Sequence, residues 1–271
     1  MLAHLEDRAV IAVSGPEARS FLQGLITNDI EKLSPGLGLY AALLTPQGKV
    51  LFDFLVVEGD GAILIECAET ARDALVKRLS LYRLRAKVAI EVRAQLAVLA
   101  AWDGAISPNA IAFHDPRVID LGVRGVSARA EVPSTAAASH AYHERRLELG
   151  VPEGGDFGSD RIFALDGGLE ELNAIDFEKG CYVGQELTAR MKHRGTARKR
   201  LLPIESADDT PLPPRDTSVT AAGRDVGEIE SSHGTEGFAL VRLDRLAEAR
   251  GGVLEAAGHP VIVRKPAWLF P

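Results

Sequence analysis

The stretch from Leu39 to Glu58, LYAALLTPQGKVLFDFLVVE, constrains the fold more than any other part of the chain. Two strand-like runs flank Pro46-Gln47-Gly48, the turn chemistry of a β-hairpin. On the second run Val50, Phe52, Phe54 and Val56 share one face, and Leu51, Asp53, Leu55 and Val57 share the other. Both faces are apolar, so the strand belongs to a sheet covered on both sides. Asp53 is then a carboxylate set between two leucines inside that sheet.

The neighbouring segments alternate between helical and strand patterns. Ser14 and Gly15-Pro16 open a helix predicted to run about three turns, with Phe21, Leu22, Leu25 and Ile26 on its apolar face. AILIECAE, KVAIEVR and LAVLAAW read as strands, and ETARDALVKRLSLYRL reads as a helix. A further helix is expected from Ser139 to Leu149, stopped by Gly150-Val151-Pro152 and followed by a glycine-rich loop to Gly158. Beyond Arg200, short strands and frequent turns read as a small all-β domain. The expected boundary lies near Thr196, dividing the chain into residues 1–195 and 196–271.

Of the 271 residues, 46% are hydrophobic and 25% charged, the balance of a folded soluble protein. No apolar run is long enough to cross a bilayer, so no membrane partner is expected. The opening MLAHLEDRAVIAVSG carries Glu6 and Asp7 and lacks the features of a signal or transit peptide, which makes the cytoplasm the expected location. The 2 cysteines are too few for a disulfide scaffold. Cys67, within an apolar strand, is expected to be a small buried hydrophobe.

Several functional classes find no support. GLGLYA, from Gly36, fits a dinucleotide fingerprint, but Pro35 precedes it and a hairpin strand follows where a helix is required. His140 and His143 are three apart on a predicted helix without a third metal ligand at legible spacing, so no metal site is expected. An iron-sulfur cluster normally takes four ligands, mostly thiolates, so two cysteines would have to share one with another chain or a small thiol.

The segment Lys179–Arg200, KGCYVGQELTARMKHRGTARKR, stands apart. Arg190, Lys192, Arg194, Arg198, Lys199 and Arg200 crowd its end, while the whole chain carries -7. Without these six cations the rest would carry -13, so the island suits one anionic ligand or an acidic partner. The cations are not interleaved with aromatics, which argues against direct nucleic-acid binding. Cys181 lies between Gly180 and Gly184, two residues after Lys179, just before the helix QELTARMK. A helix N-terminus and a nearby ammonium both favour a thiolate, so Cys181 reads as a reactive or coordinating thiol, with a packed cysteine in a tight loop as the alternative. Glu186 is placed to pair with Arg190 along that helix.

KGCYVGQE resembles the signature of the YgfZ family, folate-binding-like relatives of the glycine cleavage T-protein implicated in iron-sulfur cluster assembly or repair. FLQGLITNDI, LTPQGKVLFD, LYRLRAKVAI, DPRVIDLGVR, RRLELGVP, VGEIESS and GFALVRL extend the resemblance in the family's order. It implies an α+β, T-protein-like fold, with ferredoxin-like α/β parts around a central cavity and a C-terminal β-barrel. It further implies a tetrahydrofolate-binding accessory protein with iron-sulfur assembly or client proteins as partners, tRNA-modifying enzymes among the clients. A folate-dependent aminomethyl or methyl transferase is the alternative.

The T-protein's Gly-Gly-x-x-Asp-Asp hairpin reads GKVLFD here, so Asp53 matches the second aspartate and Phe52 replaces the first. The catalytic pattern is therefore incomplete. By the resemblance, Cys181 and Asp53 are the reactive groups at a folate-type cavity. Lys179, Gly180, Tyr182, Gly184, Gln185, Glu186, Arg190 and Arg194 are the expected cofactor-binding set.

Overall fold

The structure, a computed structural model, describes residues 1–195, 198–249 and 251–270. In chain order the body contains β1 (Leu2–His4), β2 (Arg8–Ser14), α1 (Ala18–Gln23), β3 (Leu39–Leu44), β4 (Val50–Gly59), β5 (Ala62–Ala68) and α2 (Arg72–Arg83). It continues with β6 (Ala89–Val92), β7 (Leu96–Ala101), β8 (Ile111–His114), β9 (Val123–Ala128), α3 (Ser139–Glu148) and α4 (Gln185–Arg194). The C-terminal part contains β10 (Lys199–Ser206), β11 (Ser218–Ala221), β12 (Arg224–His233), β13 (Glu236–Arg242), α5 (Leu243–Glu248), β14 (Leu254–Ala256) and β15 (His259–Val263).

The hairpin forms the heart of an antiparallel sheet ordered β3-β4-β5-β2-β6. One face, with Phe54, Val56, Ile11 and Ile65, packs with Leu22 of α1 and Leu75 and Leu79 of α2. The other, with Leu55, Val57, Val10 and Leu64, packs against a second sheet ordered β1-β7-β9-β8. The two-sided burial read from the sequence is thus real. Its face assignment fails at one residue, because Leu43 pairs with Phe52 but Leu44 with Val50. The bulge moves Val50 onto the Asp53 side. Cys67 is fully buried beneath α2, as expected.

The first helix is shorter than predicted. It ends at Gln23, and the apolar pattern continues in irregular chain because Thr27 and Asn28 bond elsewhere. Thr27 Oγ1 donates to the Ala174 carbonyl (2.6 Å) and accepts from the Ala42 amide (2.8 Å). Asn28 Nδ2 donates to the carbonyls of Tyr40 and Asn173, both at 2.8 Å. These side chains offer the backbone an alternative to the helix.

Between α3 and α4 runs a long segment with only one short 3-10 turn, Gly154–Asp156. It is not a surface loop: Val151, Phe157, Ile162, Leu165, Leu169 and Leu172 are buried. Its backbone is satisfied by the hairpin and the barrel, as in the Val50 amide to the Ile162 carbonyl (2.9 Å) and the Leu201 amide to the Asp166 carbonyl (2.8 Å).

Strands β10-β13-β12-β11-β14-β15 close into a barrel around Leu202, Ile204, Val219, Ile229 and Val241. The boundary expected at Thr196 lies outside the described residues. An α+β body followed by a closed C-terminal barrel has the parts that the resemblance implies. No helix is long and apolar enough to cross a membrane among the described residues.

Candidate functional site

The cysteine loop is anchored from both sides. Asp176 accepts from the Glu178 amide (2.8 Å) and pairs with Lys32. Lys179 turns inward, its ammonium donating to the carbonyls of Gln23 (2.9 Å), Ile26 (2.7 Å) and Asn28 (2.8 Å) and lying 5.2 Å from the Tyr182 ring centre. Burial pushes the lysine pKa down to about 8, opposed by Asp29 and Asp176. On the other side of Cys181, Gly184 has φ 85°, and a Cβ there would stand 2.5 Å from the Thr45 carbonyl oxygen. The second glycine of the motif is thereby seated on the hairpin turn.

Between these anchors Cys181 is exposed, and a Cβ at Gly180 would meet nothing within 4 Å. This corrects the expected role of Lys179. Its three N–H donors are spent on three carbonyls, so it is a buried strut and not a cofactor-binding cation. Tyr182 is likewise buried, its hydroxyl pushed up to about 12 by burial.

The helix after the thiol begins at Gln185 with Gly184 as its N-cap, as the sequence reads, which places Cys181 three residues before the cap. Glu186 and Arg190 are both exposed, and among the described residues no ion pair joins them, contrary to expectation. Two of the six cations fold onto an acidic pair: Lys192 bridges Glu170, and Arg200 reaches Glu171 (3.1 Å) and the Leu165 carbonyl (2.7 Å). Arg190, Arg194, Arg198 and Lys199 remain exposed.

Asp53 sits elsewhere. Its carboxylate accepts from the Tyr40 hydroxyl (3.1 Å) and the Gly154 amide (2.9 Å), and burial raises its pKa against the pull of Arg8. It opens into a cavity of about 340 Å³ shared with Phe52, Thr70, Gly154, Phe157 and Arg215. None of residues 179–194 lines this space. Five residue steps, Gly48 to Asp53, separate Asp53 from the turn that meets Gly184, at most roughly 16 Å of extended chain at about 3.3 Å per residue. Cys181 and Asp53 therefore do not share one cavity mouth, which corrects the expected site. A carboxylate offers about four lone-pair positions, and Tyr40 and Gly154 use two of Asp53's. Two positions are thus left to accept N–H donors of the kind a pterin ring carries, and no residue of the basic run lines the cavity.

Behind Asp53 lies a buried ionic network that sequence reasoning missed. Arg8, Arg117, Arg124 and Arg146 face Asp53, Glu66, Asp115, Glu153 and Asp156, all buried. Arg117 grips Asp115 through Nε (2.9 Å) and Nη2 (2.7 Å) and reaches Glu153 at 2.8 Å. Burial alone would raise Glu153, yet Arg8, Arg117, Arg146 and Arg124 together hold it well below the ordinary range. Asp156 accepts from Arg146 (2.7 Å) and, across the barrel boundary, from Ser231 (2.6 Å) and His233 (2.7 Å). The only signal was charges set among apolar residues in DPRV and RRLELGVPEGGD. His143 of the candidate metal pair bonds Asp7 (2.7 Å) and accepts from Arg146 Nε (2.9 Å). Among the described residues no group of three His, Cys, Asp or Glu is placed to hold a metal.

Residues 198–271 match the family described as the CAF17 C-terminal β-barrel domain. The chain is similar to the human protein named "Iron-sulfur cluster assembly factor IBA57, mitochondrial", at 35% identity over 89% of this chain and 77% of that one. The mouse protein of the same name is 33% identical with the same coverage. A Neurospora crassa homolog is 36% identical over 74% of this chain and 53% of its own. Among solved structures, the glycine cleavage system aminomethyltransferase T from Bartonella henselae superposes with a TM-score of 0.76, covering 98% of this chain and 85% of that one; its 15% identity shows the fold alone.

Two expectations change. The relatives bear the IBA57 name where the motif suggested YgfZ. The cytoplasmic expectation is overturned, because these relatives are named mitochondrial. It rested on opening residues that form β1, paired with β7, whose composition reports a sheet rather than an address. By identity of 35% across more than two thirds of both chains, the protein belongs to the family of the iron-sulfur cluster assembly factor IBA57.

Proposed function

We propose that the protein is an accessory factor in iron-sulfur cluster assembly that offers Cys181 as one ligand to a cluster completed by a partner. The observation carrying this reading is an exposed thiol between two anchors, the buried Lys179 and Gly184 packed on the hairpin turn. One thiolate cannot hold a cluster that needs about four ligands, so the remainder must come from an assembly or client protein. Iron-sulfur tRNA-modifying enzymes are the clients the sequence resemblance favours. The test is rescue of cells lacking their own family member by wild type and Cys181→Ser at matched folded stability, with iron-sulfur enzyme activity as readout. Rescue by wild type only supports the reading; equal rescue by both removes it.

A second reading, tetrahydrofolate binding with or without one-carbon transfer, is favoured by Asp53 alone. A bound folate would supply one-carbon chemistry, and Asp53 would hold its ring N–H groups or carry a proton. Calorimetric titration of tetrahydrofolate into wild type and Asp53→Asn tests it. Binding unchanged by the substitution, or absent from wild type, ends it.

A further inference from the structure

Residues 74–90, ALVKRLSLYRLRAKVAI, contain five cations and no acid in a chain of net charge -7. Lys77, Arg78, Arg83, Arg85 and Lys87 are all exposed, and among the described residues none is in an ion pair. Leu75 and Leu79 of α2 face the core, which leaves Lys77, Arg78 and Leu81 on the outward stripe, with Leu84 and Arg85 just beyond the helix end. Leu81 is 63% exposed and Leu84 88%. Leu84 holds φ 45° and ψ -106°, a conformation a leucine rarely adopts, and no packing compensates it.

α2 contacts β6, the last strand of its sheet, with no strand on its outer edge among the described residues. The Arg93 amide donates inward to the Val10 carbonyl (2.8 Å). By the alternation of an antiparallel ladder, the amides of Ile90 and Val92 face outward. Val92 is itself 39% exposed. The acids nearby are engaged: Glu91 pairs with Arg93 (3.2 Å), and Glu17 accepts from the Lys87 backbone amide (2.6 Å).

We propose that the outer edge of β6 and the outward stripe of α2 form a docking surface for an extended, acidic segment of a partner protein, which adds to β6 as a further strand. The unpaired edge supplies main-chain hydrogen bonds, the two leucines supply apolar contact, and the five cations select acidic side chains. The same charge opposes pairing with a second copy, which would set five cations against five. Without exposed aromatics the patch does not suit nucleic acid. A free sheet edge serves a polypeptide and has no use at a lipid surface.

The test uses the full chain and a fluorescent peptide in which Glu alternates with Val over about ten residues, with the Lys-Val counterpart as control. Wild type should bind the Glu peptide saturably and not the Lys peptide. Arg83→Glu/Arg85→Glu should weaken binding at least about tenfold, and so should Val92→Pro, which removes an outward amide while leaving the β2 ladder intact. Equal melting temperatures for wild type and Val92→Pro keep that comparison one of binding; if Val92→Pro unfolds, Leu84→Glu takes its place with the same expected loss. Absence of saturable Glu-peptide binding, or a loss on charge reversal alone with the edge and leucine variants unaffected, overturns the proposal. Binding instead to vesicles of equal phosphatidylglycerol and phosphatidylcholine, reversed by the same variants, also overturns it and assigns the surface to lipid.

Discussion

The ammonium of Lys179 donates to the backbone carbonyl of Asn28 at 2.8 Å across 151 residues of sequence, so the cysteine motif is held by the chain that follows the first helix. Two further carbonyls, of Gln23 and Ile26, converge on the same nitrogen. The chain is thus pinned two residues before an exposed thiol.

Lys179→Met should leave three carbonyls without their donor and cost on the order of 2–4 kcal/mol in urea unfolding. Lys179→Arg should not restore it, since a planar guanidinium cannot bring three donors to one point. Alkylation of Cys181 should stay fast in both variants, because the thiol is already open to solvent.

Gly184→Ala should destabilise by at least about 1–3 kcal/mol, combining a left-handed backbone with a Cβ placed against the Thr45 carbonyl. Gly180→Ala, where a Cβ meets open space, should stay within about 0.5 kcal/mol. Thermal melts of the two variants separate the anchoring glycine from the free one.

Arg117→Met removes a hydrogen-bonded partner from both Asp115 and Glu153 and should cost roughly 3–5 kcal/mol, the range for breaking a buried ion pair. Equilibrium unfolding checks it. A loss under about 1 kcal/mol would mean that the network is hydrated and weak.

Acid should loosen the contact between body and barrel. Burial raises Asp156, but Arg146 and His233 bring its pKa down to about 2, below the ordinary 3.8. A depressed carboxylate stabilises the fold above its unfolded value, so roughly 2 kcal/mol present near neutrality is lost as pH falls from about 4 toward 2. Asp53 runs the other way: its raised pKa favours the fold at low pH, and that contribution fades as pH climbs through its folded value. Melts of wild type and Asp156→Asn between pH 2 and 7 should show a shallower acid limb in the variant.

The sequence by itself determined the local elements and the motif they frame. The hairpin around Pro46-Gln47-Gly48, the helix from Ser139, the turn-rich all-β tail and the glycine-flanked Cys181 are each written in neighbouring residues, through period, turn chemistry and propensity. Only the tertiary structure decided which partners those residues meet. Val50 changed faces through a bulge opposite Leu43 and Leu44, and the first helix stopped early because Thr27 and Asn28 bond to Ala174 and Asn173. Lys179 became a strut, Asp53 joined a buried network instead of the thiol, and the cations of α2 came to lie beside an open sheet edge. These outcomes depend on hydrogen bonds and charge pairs between residues far apart in the chain, and their geometry leaves no period in the sequence to read.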